Sequence, residues 1–278
     1  MMAEPRVQSS AVVALKPLRT AKSRLRGVPA PYREHIAWCL AHDTITALAE
    51  AVDRVVVVSN EPSLASRLRS LAPRVRVSTE GPSIGMNAAL AAGAAQLVEG
   101  GAALVIACVG DLPCLKPATV RRLIAAAVHH PRSFVPDASG TGTTMLLARG
   151  VSLDPRFQGA SASAHRGSGA IALTEAAVGP LTDARRDVDT LADLADAVLV
   201  GLGSRTGSLI DQETNRLGRF EPITVIGPDE NGIAFAVSPD GRRYRMNDAV
   251  RLDHLPNVTP GQRLHAALAG DRVLSAWL

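Results

Sequence analysis

The sequence predicts an α/β protein, in which a mostly parallel sheet with helices on both faces is followed by a small β-barrel-like domain. Short apolar runs alternate with helical patterns through residue 130, as in a parallel sheet wound by right-handed crossovers. Hydrophobic residues make up 46% of the 278 residues and aromatic residues only 3%, so the core must be built mainly from Ala, Val, Leu and Ile. From residue 220, short β-rich runs separated by turn residues replace the alternation.

The first 130 residues supply alternating strands and helices. A strand over residues 11–15 ends at a basic loop, and a helix over 32–52 follows Pro31, which suits the start of a helix. The uninterrupted β-branched run at 55–58 is typical of a strand that is buried on both faces. The same patterns predict helices over 62–71, 88–98 and 117–129 and strands over 75–77 and 104–109.

Two strands over residues 133–135 and 144–148 and a helix over 191–202 complete the larger domain. We expect this domain to span residues 1–203. Residues 204–219 are polar and lack a clear period, which indicates a linker or a frayed helix end.

The tail, residues 220–278, is predicted to form a small barrel of the OB or SH3-like kind. Pro239-Asp240-Gly241 is a strong hairpin turn, and two β-like runs flank Ala269-Gly270-Asp271. Basic and acidic residues nearly balance in the tail, which argues against a nucleic-acid partner. We expect the tail to pack on the larger domain or to build a homodimer.

Charge and segment patterns indicate where an anionic ligand binds and where the protein works. The net charge is +4, and the first thirty residues hold one acid, Glu4, against a set of basic residues: Arg6, Lys16, Arg19, Lys22, Arg24 and Arg26. The chain shows no signal-peptide pattern and no apolar stretch long enough to span a bilayer. Its three cysteines lack metal or redox spacing. A cytoplasmic protein with reduced thiols and no membrane partner is expected.

Asp111 and Asp187 are the candidate metal ligands. Asp111 follows an apolar run in Gly-Asp-Leu-Pro, just past the carboxyl end of a buried strand, where such folds bind ligands. Asp187 and Asp189 lie on one side of an extended segment, which is unfavourable unless a cation compensates. Mg²⁺ suits few oxygen ligands shared with substrate phosphates. The alternatives are that Asp111 or Asp189 caps the helix that follows it.

Two loops are candidates for binding phosphate groups. Lys16, Lys22 and Arg24 gather positive charge after the first strand, which suits a triphosphate, although a solvated basic turn has the same composition. The run Gly140-Thr141-Gly142-Thr143-Thr144 combines close backbone approach with hydroxyl donors.

Two further loops carry residues that suit a ligand. Residues 81–87 contain Gly85 and Asn87, and Asn87 either caps the next helix or contacts a base. Residues 157–169 combine small residues with His165 and suit a loop that closes over an acidic ligand. Phosphoryl transfer onto an already ionised phosphate needs no strong base. We therefore interpret His165 as a structural hydrogen-bonding residue.

Taken in order, six segments resemble the phosphoenolpyruvate or 2-phospho-L-lactate guanylyltransferase family of coenzyme F-420 (deazaflavin) biosynthesis. They are ALKPLRTAKSRL, GMNAAL, GDLPCL, RSFVPDASGTGTTML, FQGASASAHRGSGA and RRDVDTLADL. Each segment is weak alone, but the ordered set spans residues 10–203 and is specific. The resemblance implies a Rossmann-like, GT-A-like nucleotidyltransferase fold and does not extend to the tail.

The resemblance implies a reaction and a set of site residues. GMP would pass from GTP to phosphoenolpyruvate or 2-phospho-L-lactate with release of pyrophosphate. Mg²⁺ would lie on Asp111 and Asp187. The Ala- and Arg-rich composition resembles that of actinobacterial members of the family, which implies phosphoenolpyruvate as the acceptor. The catalytic and nucleotide-binding residues would include Lys22. The remaining binding residues would be Lys16, Arg24, Gly85 and Asn87 for GTP and Thr143, Gly159 and Ser161 for the acid.

One departure and three alternatives accompany this resemblance. The family pairs Phe with Gly, whereas Phe157 is followed by Gln158 and then Gly159, so either of the last two can take the glycine's place. Molybdopterin or sugar-phosphate nucleotidyltransferases of this fold usually carry a GGxSxRMG-like loop, which is missing here. A nucleic-acid-binding barrel would use Phe235 and Tyr244 for stacking. An oxidoreductase is disfavoured because no GxGxxG follows the first strand.

Overall fold

The computed structural model describes residues 7–25, 28–79, 85–217, 219–228, 233–246, 251–252 and 258–277. In these ranges the larger domain is built on seven strands: β1 (Ser9–Ala14), β2 (Arg54–Val58), β3 (Val75–Ser78), β4 (Leu104–Cys108), β5 (Arg132–Pro136), β6 (Thr143–Arg149) and β7 (Ile171–Ala172). They form one sheet in the order β3-β2-β1-β4-β6-β5-β7. Only β6 runs antiparallel to its neighbours in this sheet, so the predicted mostly parallel sheet is confirmed.

Helices cover both faces of this sheet. In the described residues they are α1 (Ala30–Ala51), α2 (Leu64–Arg67), α3 (Gly85–Glu99), α4 (Pro117–Ala127), α5 (Ser161–Gly167), α6 (Glu175–Val178), α7 (Thr182–Arg185), α8 (Leu191–Val200) and α9 (Ser204–Leu217). Helices α1, α4 and α8 pack into one apolar cluster, whereas α3 and α5 pack into the other. The short helices α5, α6 and α7 were not predicted, because segments this short carry little periodic signal.

Alternate residues of β1 face the two apolar clusters. Ala11 and Val13 face the cluster that contains α1, and Val12 faces the cluster that contains α3. Helix α3 lies so close to the sheet that a Cβ atom on Gly93 would come within 2.5 Å of the Val12 side chain. Close approach of this kind explains why α3 is rich in Ala and Gly.

The segment interpreted as a linker or a frayed helix end forms helix α9, which packs against α1. Its N-terminus is capped from a distance, since the Asp43 carboxylate in α1 accepts hydrogen bonds from the backbone N–H groups of Arg205 and Thr206 at 3.1 and 2.7 Å. Leu209 is buried in the core of the larger domain. The helix was missed because its cap lies 162 residues away and its own composition is polar.

The tail forms the predicted barrel. Its strands in the described residues are β8 (Arg219–Pro228), β9 (Ala234–Val237), β10 (Arg243–Met246), β11 (Arg251–Leu252), β12 (Arg263–Ala269) and β13 (Arg272–Trp277). They follow the order β10-β9-β8-β12-β13-β11, and a further pairing of β10 with β13 closes the barrel.

The barrel packs on the larger domain, because Ala267, Phe220 and Trp277 join the core cluster that contains α1. Tyr244 is 1% exposed inside the barrel, so stacking of Tyr244 on a nucleic-acid base, as the alternative required, is wrong. Among the described residues no helix combines the length and the apolar character needed to cross a membrane.

Candidate active site

The Lys22 ammonium lies between two carboxylates. Lys22 Nζ donates hydrogen bonds to Asp111 Oδ2 and, at 3.1 Å, to Asp189 Oδ1. Burial of the ammonium works against its charge, but the two carboxylates outweigh it and raise the pKa of Lys22. Lys22 therefore stays protonated and joins the loop after β1 to the loop after β4 and to the segment before α8.

Asp187 lies beside this cluster. The backbone N–H of Val188 donates to the Asp111 carbonyl oxygen at 3.1 Å, which sets the two metal-ligand candidates next to each other. Burial of Asp187, followed by the negative charge of Asp111, raises the pKa of Asp187 to about 7. Lys22 and Arg24 balance the charges of Asp111 and Asp189. A charged Asp187 therefore leaves the site with an excess of negative charge.

Among the described residues, neither Asp111 nor Asp189 caps a helix. The N-cap of α8 is Thr190, which forms a capping box with Asp193, while Asp189 accepts from Lys22 and Arg24. At the start of α4, the Lys116 N–H donates to the Asp183 carboxylate at 2.9 Å. The capping alternatives for Asp111 and Asp189 are therefore wrong.

The basic residues of the loop after β1 have different surroundings. Arg24 is largely exposed, and its guanidinium donates to Asp189 at 3.1 Å. Lys16 is exposed and forms no ion pair within the part of the chain that the structure describes. Lys22 thus belongs to the carboxylate cluster, whereas Lys16 is placed at the surface.

Asp137 is a member of this site that the sequence analysis did not single out. Its charge contributes to the raised pKa of Asp187, and its Oδ1 accepts from the backbone N–H of Thr141 at 3.1 Å. A Cβ atom on Gly142 would clash with the Asp137 carboxylate, so the glycine allows the turn to approach. The signal was present, because Asp137 directly follows β5, and Asp111 likewise lies just past the carboxyl end of β4.

Thr143 and His165 form a buried pair behind the Gly-rich turn. Thr143 Oγ1 lies 2.9 Å from His165 Nδ1, and His165 Nε2 accepts from the Arg156 backbone N–H at 2.9 Å. Because a backbone N–H can only donate, Nε2 is unprotonated and Nδ1 donates to Thr143. Burial lowers the pKa of His165 to about 4, and its structural role is confirmed.

The loop that carries Gly159 and Ser161 is held at both ends. Gln158 and Gly159 both adopt positive φ angles, 94° and 56°, so Gln158 shares the backbone region that favours glycine. Ser161 begins α5 and is buried, and its N–H donates to the Gly159 carbonyl oxygen at 2.8 Å. The adjoining Ala162 N–H donates to Thr141, which brings this loop to the Gly-rich turn.

Gly85 and Asn87 open helix α3, whereas residues 81–84 of their loop lie outside the described residues. Gly85 is exposed and adopts a φ angle of 78°. The Asn87 amide bonds to the backbone of Phe157 rather than to its own helix, so the capping alternative for Asn87 is wrong. Contact of Gly85 and Asn87 with guanine stays a prediction.

A groove of about 1270 Å³ lies elsewhere, between α3 and residues 149–155. It contains none of the predicted site residues and sits at the amino end of β4, where Leu104 pairs with Arg149. The carboxylate cluster is at the carboxyl end of the same strand, so the groove is separate from the candidate active site.

The donor set at the cluster fits a hard divalent cation. Asp111 and Asp187 offer carboxylate oxygens that repel each other, and the Lys22 ammonium already occupies the position of a cation on Asp111. Among the described side chains, no three His, Cys, Asp or Glu residues form a complete metal cage. A partial carboxylate set is what Mg²⁺ uses when substrate phosphates supply further ligands.

Comparisons with known proteins assign the chain to a family. Residues 37–177 match the MobA-like NTP transferase domain. A phosphoenolpyruvate guanylyltransferase from Salinispora arenicola is 42% identical over 214 residues, which cover 75% of this chain and 96% of the relative. The chain belongs to the phosphoenolpyruvate guanylyltransferase family. It is a nucleotidyltransferase, and its predicted family membership is confirmed.

Other members of the guanylyltransferase family are similarly related. The phosphoenolpyruvate guanylyltransferase of Thermomonospora curvata is 41% identical over 217 residues, covering 77% of this chain and 91% of that protein. Among solved structures, a protein described as a nucleotide-diphospho-sugar transferase from Desulfovibrio desulfuricans superposes with a TM-score of 0.56. It covers 75% of this chain and 96% of its own at 14% identity, which supports the fold alone.

Proposed function

We propose that this family member transfers GMP from GTP to phosphoenolpyruvate, or to 2-phospho-L-lactate, and releases pyrophosphate in an early step of coenzyme F-420 biosynthesis. The observation that carries the proposal is the Lys22 ammonium between Asp111 and Asp189, beside the half-buried Asp187. Positive charge held among carboxylates at the carboxyl ends of β1 and β4 suits a nucleotide triphosphate with its cation. The names of the curated relatives favour phosphoenolpyruvate as the acceptor.

The reaction balances without a protein base. A phosphate oxygen of the acid forms a bond to the α-phosphorus of GTP, and the bond from that phosphorus to the oxygen that bridges to the β-phosphate breaks. Pyrophosphate leaves with the electron pair. Since the attacking phosphate is ionised near neutral pH, the protein has to align the reactants and balance their charge.

Asp111 and Asp187 would hold Mg²⁺, which supplies charge neutralisation and orientation for the phosphate groups when bound. Lys22 is buried on the carboxylates and contributes a fixed positive charge to the same region. Lys16 and Arg24 lie exposed on the same loop and would attract the triphosphate.

The acid would bind at Thr143, Gly159 and Ser161. His165 donates to Thr143 Oγ1, so the Thr143 hydroxyl hydrogen is left to donate to an anionic oxygen. The backbone around Gly159 is exposed and lies just before the start of α5. These groups join the carboxylate cluster through Asp137 and the Gly-rich turn.

Pyrophosphate release from purified protein tests the proposal. GTP and Mg²⁺ are supplied with phosphoenolpyruvate, 2-phospho-L-lactate, glucose 1-phosphate or molybdopterin, and ATP and CTP replace GTP in parallel reactions. We expect turnover with GTP and a three-carbon phosphorylated acid only. Equal turnover with a sugar phosphate or with molybdopterin would contradict the proposal.

A further inference from the structure

Asn87 and Phe157 form a two-bond clamp between α3 and the loop over residues 156–161. Asn87 Nδ2 donates to the Phe157 carbonyl oxygen at 3.1 Å, and the Phe157 N–H donates to Asn87 Oδ1 at 2.8 Å. A side-chain amide bonded in both directions to one residue fixes the position and the rotation of that residue's backbone. The two partners lie 70 residues apart in the chain.

The Phe157 side chain is anchored as firmly as its backbone. It is 4% exposed, and its ring packs edge-on against the His165 ring with 5.2 Å between centroids. His165 also holds the preceding residue through the Arg156 N–H. Two consecutive residues at the start of the loop are therefore fixed, one by α3 and one by α5.

The exposed residues that follow depend on this anchor. Gln158 and Gly159 both have positive φ angles, and a non-glycine residue keeps such a conformation only where its surroundings impose it. At the far end of the loop, the Ala162 N–H donates to Thr141 at 3.0 Å. The clamp at Phe157 and the bond at Ala162 together determine where the backbone of residues 158–161 lies.

We propose that Asn87 is a positioning residue for the acid substrate and that it acts by holding the loop that carries Gly159 and Ser161. The Asn87 amide is oriented by Phe157, so its partner among the described residues is this loop. The inference rests on the proposed function, since that function makes the loop the binding site of the phosphorylated acid. Loss of the clamp would release Gln158 and Gly159 and weaken binding of the acid without altering recognition of the nucleotide.

Steady-state kinetics of pyrophosphate release test the inference. Asn87→Ala removes both bonds, whereas Asn87→Asp keeps the acceptor for the Phe157 N–H and sets an oxygen against the Phe157 carbonyl. We expect both variants to raise KM for phosphoenolpyruvate at least about tenfold, a loss of roughly 1.4 kcal/mol in binding. KM for GTP and the preference for GTP over ITP should stay within about twofold of the wild type.

The matched control is Gln96→Ala. Gln96 lies on the same helix, is exposed and bonds to Ser78 Oγ at 3.2 Å, away from the loop. We expect this variant to keep both KM values. A rise in KM for GTP, or a lost preference over ITP, with an unchanged KM for phosphoenolpyruvate in the Asn87 variants would overturn the inference and leave the proposed function standing.

Hydrogen–deuterium exchange tests the clamp independently of turnover. The Phe157 amide should exchange faster in both Asn87 variants, while the amides of β1 keep wild-type protection and show that the fold is intact. Unchanged exchange at Phe157 would overturn the clamp. If wild-type protein releases no pyrophosphate from GTP and phosphoenolpyruvate, the proposed function fails by itself, and exchange still decides whether Asn87 positions the loop.

Discussion

Lys22 donates a hydrogen bond to Asp111 across 89 positions of the chain. Lys22 also adopts a φ angle of 55°, which is uncommon for a residue other than glycine. A strained backbone that is held in place by an ion pair is typical of a functional site. The pair joins the loop after β1 to the loop after β4. Four changes in and around the candidate active site have distinct expected outcomes.

Asp111→Asn should abolish turnover while the fold stays intact. The amide keeps the size of the side chain but removes the charge that would hold the cation. We expect kcat/KM for pyrophosphate release to fall at least about 100-fold, as for the loss of a metal-site or charge-stabilising group, with a similar melting temperature. Glu99→Gln, at an exposed acid on α3, is the control. Activity of Asp111→Asn within tenfold of the wild type would remove the proposed metal role.

Asp187→Asn should also abolish turnover, but it should stabilise the metal-free protein. Burial and the charge of Asp111 raise the pKa of Asp187, which shows that the charged carboxylate is held at a cost. In EDTA at pH 8 we expect a higher melting temperature than for the wild type, by about 2–4 °C for each kcal/mol gained. Adding Mg²⁺ should raise the wild-type value more than that of the variant. A lower melting temperature in EDTA would contradict the repulsion argument.

His165 should make stability depend on pH. Burial lowers the pKa of His165 to about 4, against roughly 6.5 in an unfolded chain. As the pH falls, the unfolded state takes up the proton first, so stability that is present above pH 6.5 is lost progressively towards pH 4. The full loss corresponds to about 3 kcal/mol. Urea unfolding of wild type and His165→Gln between pH 7 and 4.5 measures it.

The variant is the control for other groups that titrate in the same window. His165→Gln retains an acceptor for the Arg156 N–H but does not titrate, so its free energy of unfolding should fall less with pH than that of the wild type. Parallel curves for the two proteins would show that His165 is not the group responsible.

Thr44→Val should weaken the support of the Asp111 loop. The Thr44 hydroxyl is fully buried, donates to the Leu40 carbonyl oxygen at 2.8 Å and accepts from the Leu112 N–H at 2.9 Å. Valine has nearly the same shape but leaves the N–H next to Asp111 unpaired, which costs about 1–3 kcal/mol. Denaturant unfolding measures the loss, and kcat should fall as Asp111 shifts.

Thr44→Ser separates the hydroxyl from the methyl group. It retains both hydrogen bonds, so we expect kcat near the wild-type value. If Thr44→Ser lowered kcat as much as Thr44→Val, packing of the methyl group, and not the bond to Leu112, would be the cause.

Local patterns were sufficient for most of the architecture. The β-branched run of β2 and the apolar run of β4 identified buried strands, because a strand covered on both faces needs no alternation. The Pro-Asp-Gly turn located the β9–β10 hairpin within the described tail. Helix α9 escaped prediction because the Asp43 carboxylate that caps it belongs to α1.

The candidate site was predicted in part. Asp111 and Lys22 were identifiable because each follows a strand whose carboxyl end lies at the same edge of the sheet. The Asn87–Phe157 clamp was missed, since partners 70 residues apart leave no spacing pattern in the sequence. Asp137 was missed although it directly follows β5.

The sequence by itself determined most of the strands and longer helices and which residue types can carry charge to the ends of the strands, because periodicity and turn chemistry act over a few residues. Tertiary structure alone decided that Lys22 bonds to Asp111 and Asp189, that Asp187 lies half-buried beside them, and that Asn87 holds Phe157. Such pairings depend on which chain segments become neighbours when the two faces of the sheet are covered. The free energy of burying and pairing charges depends on that neighbourhood.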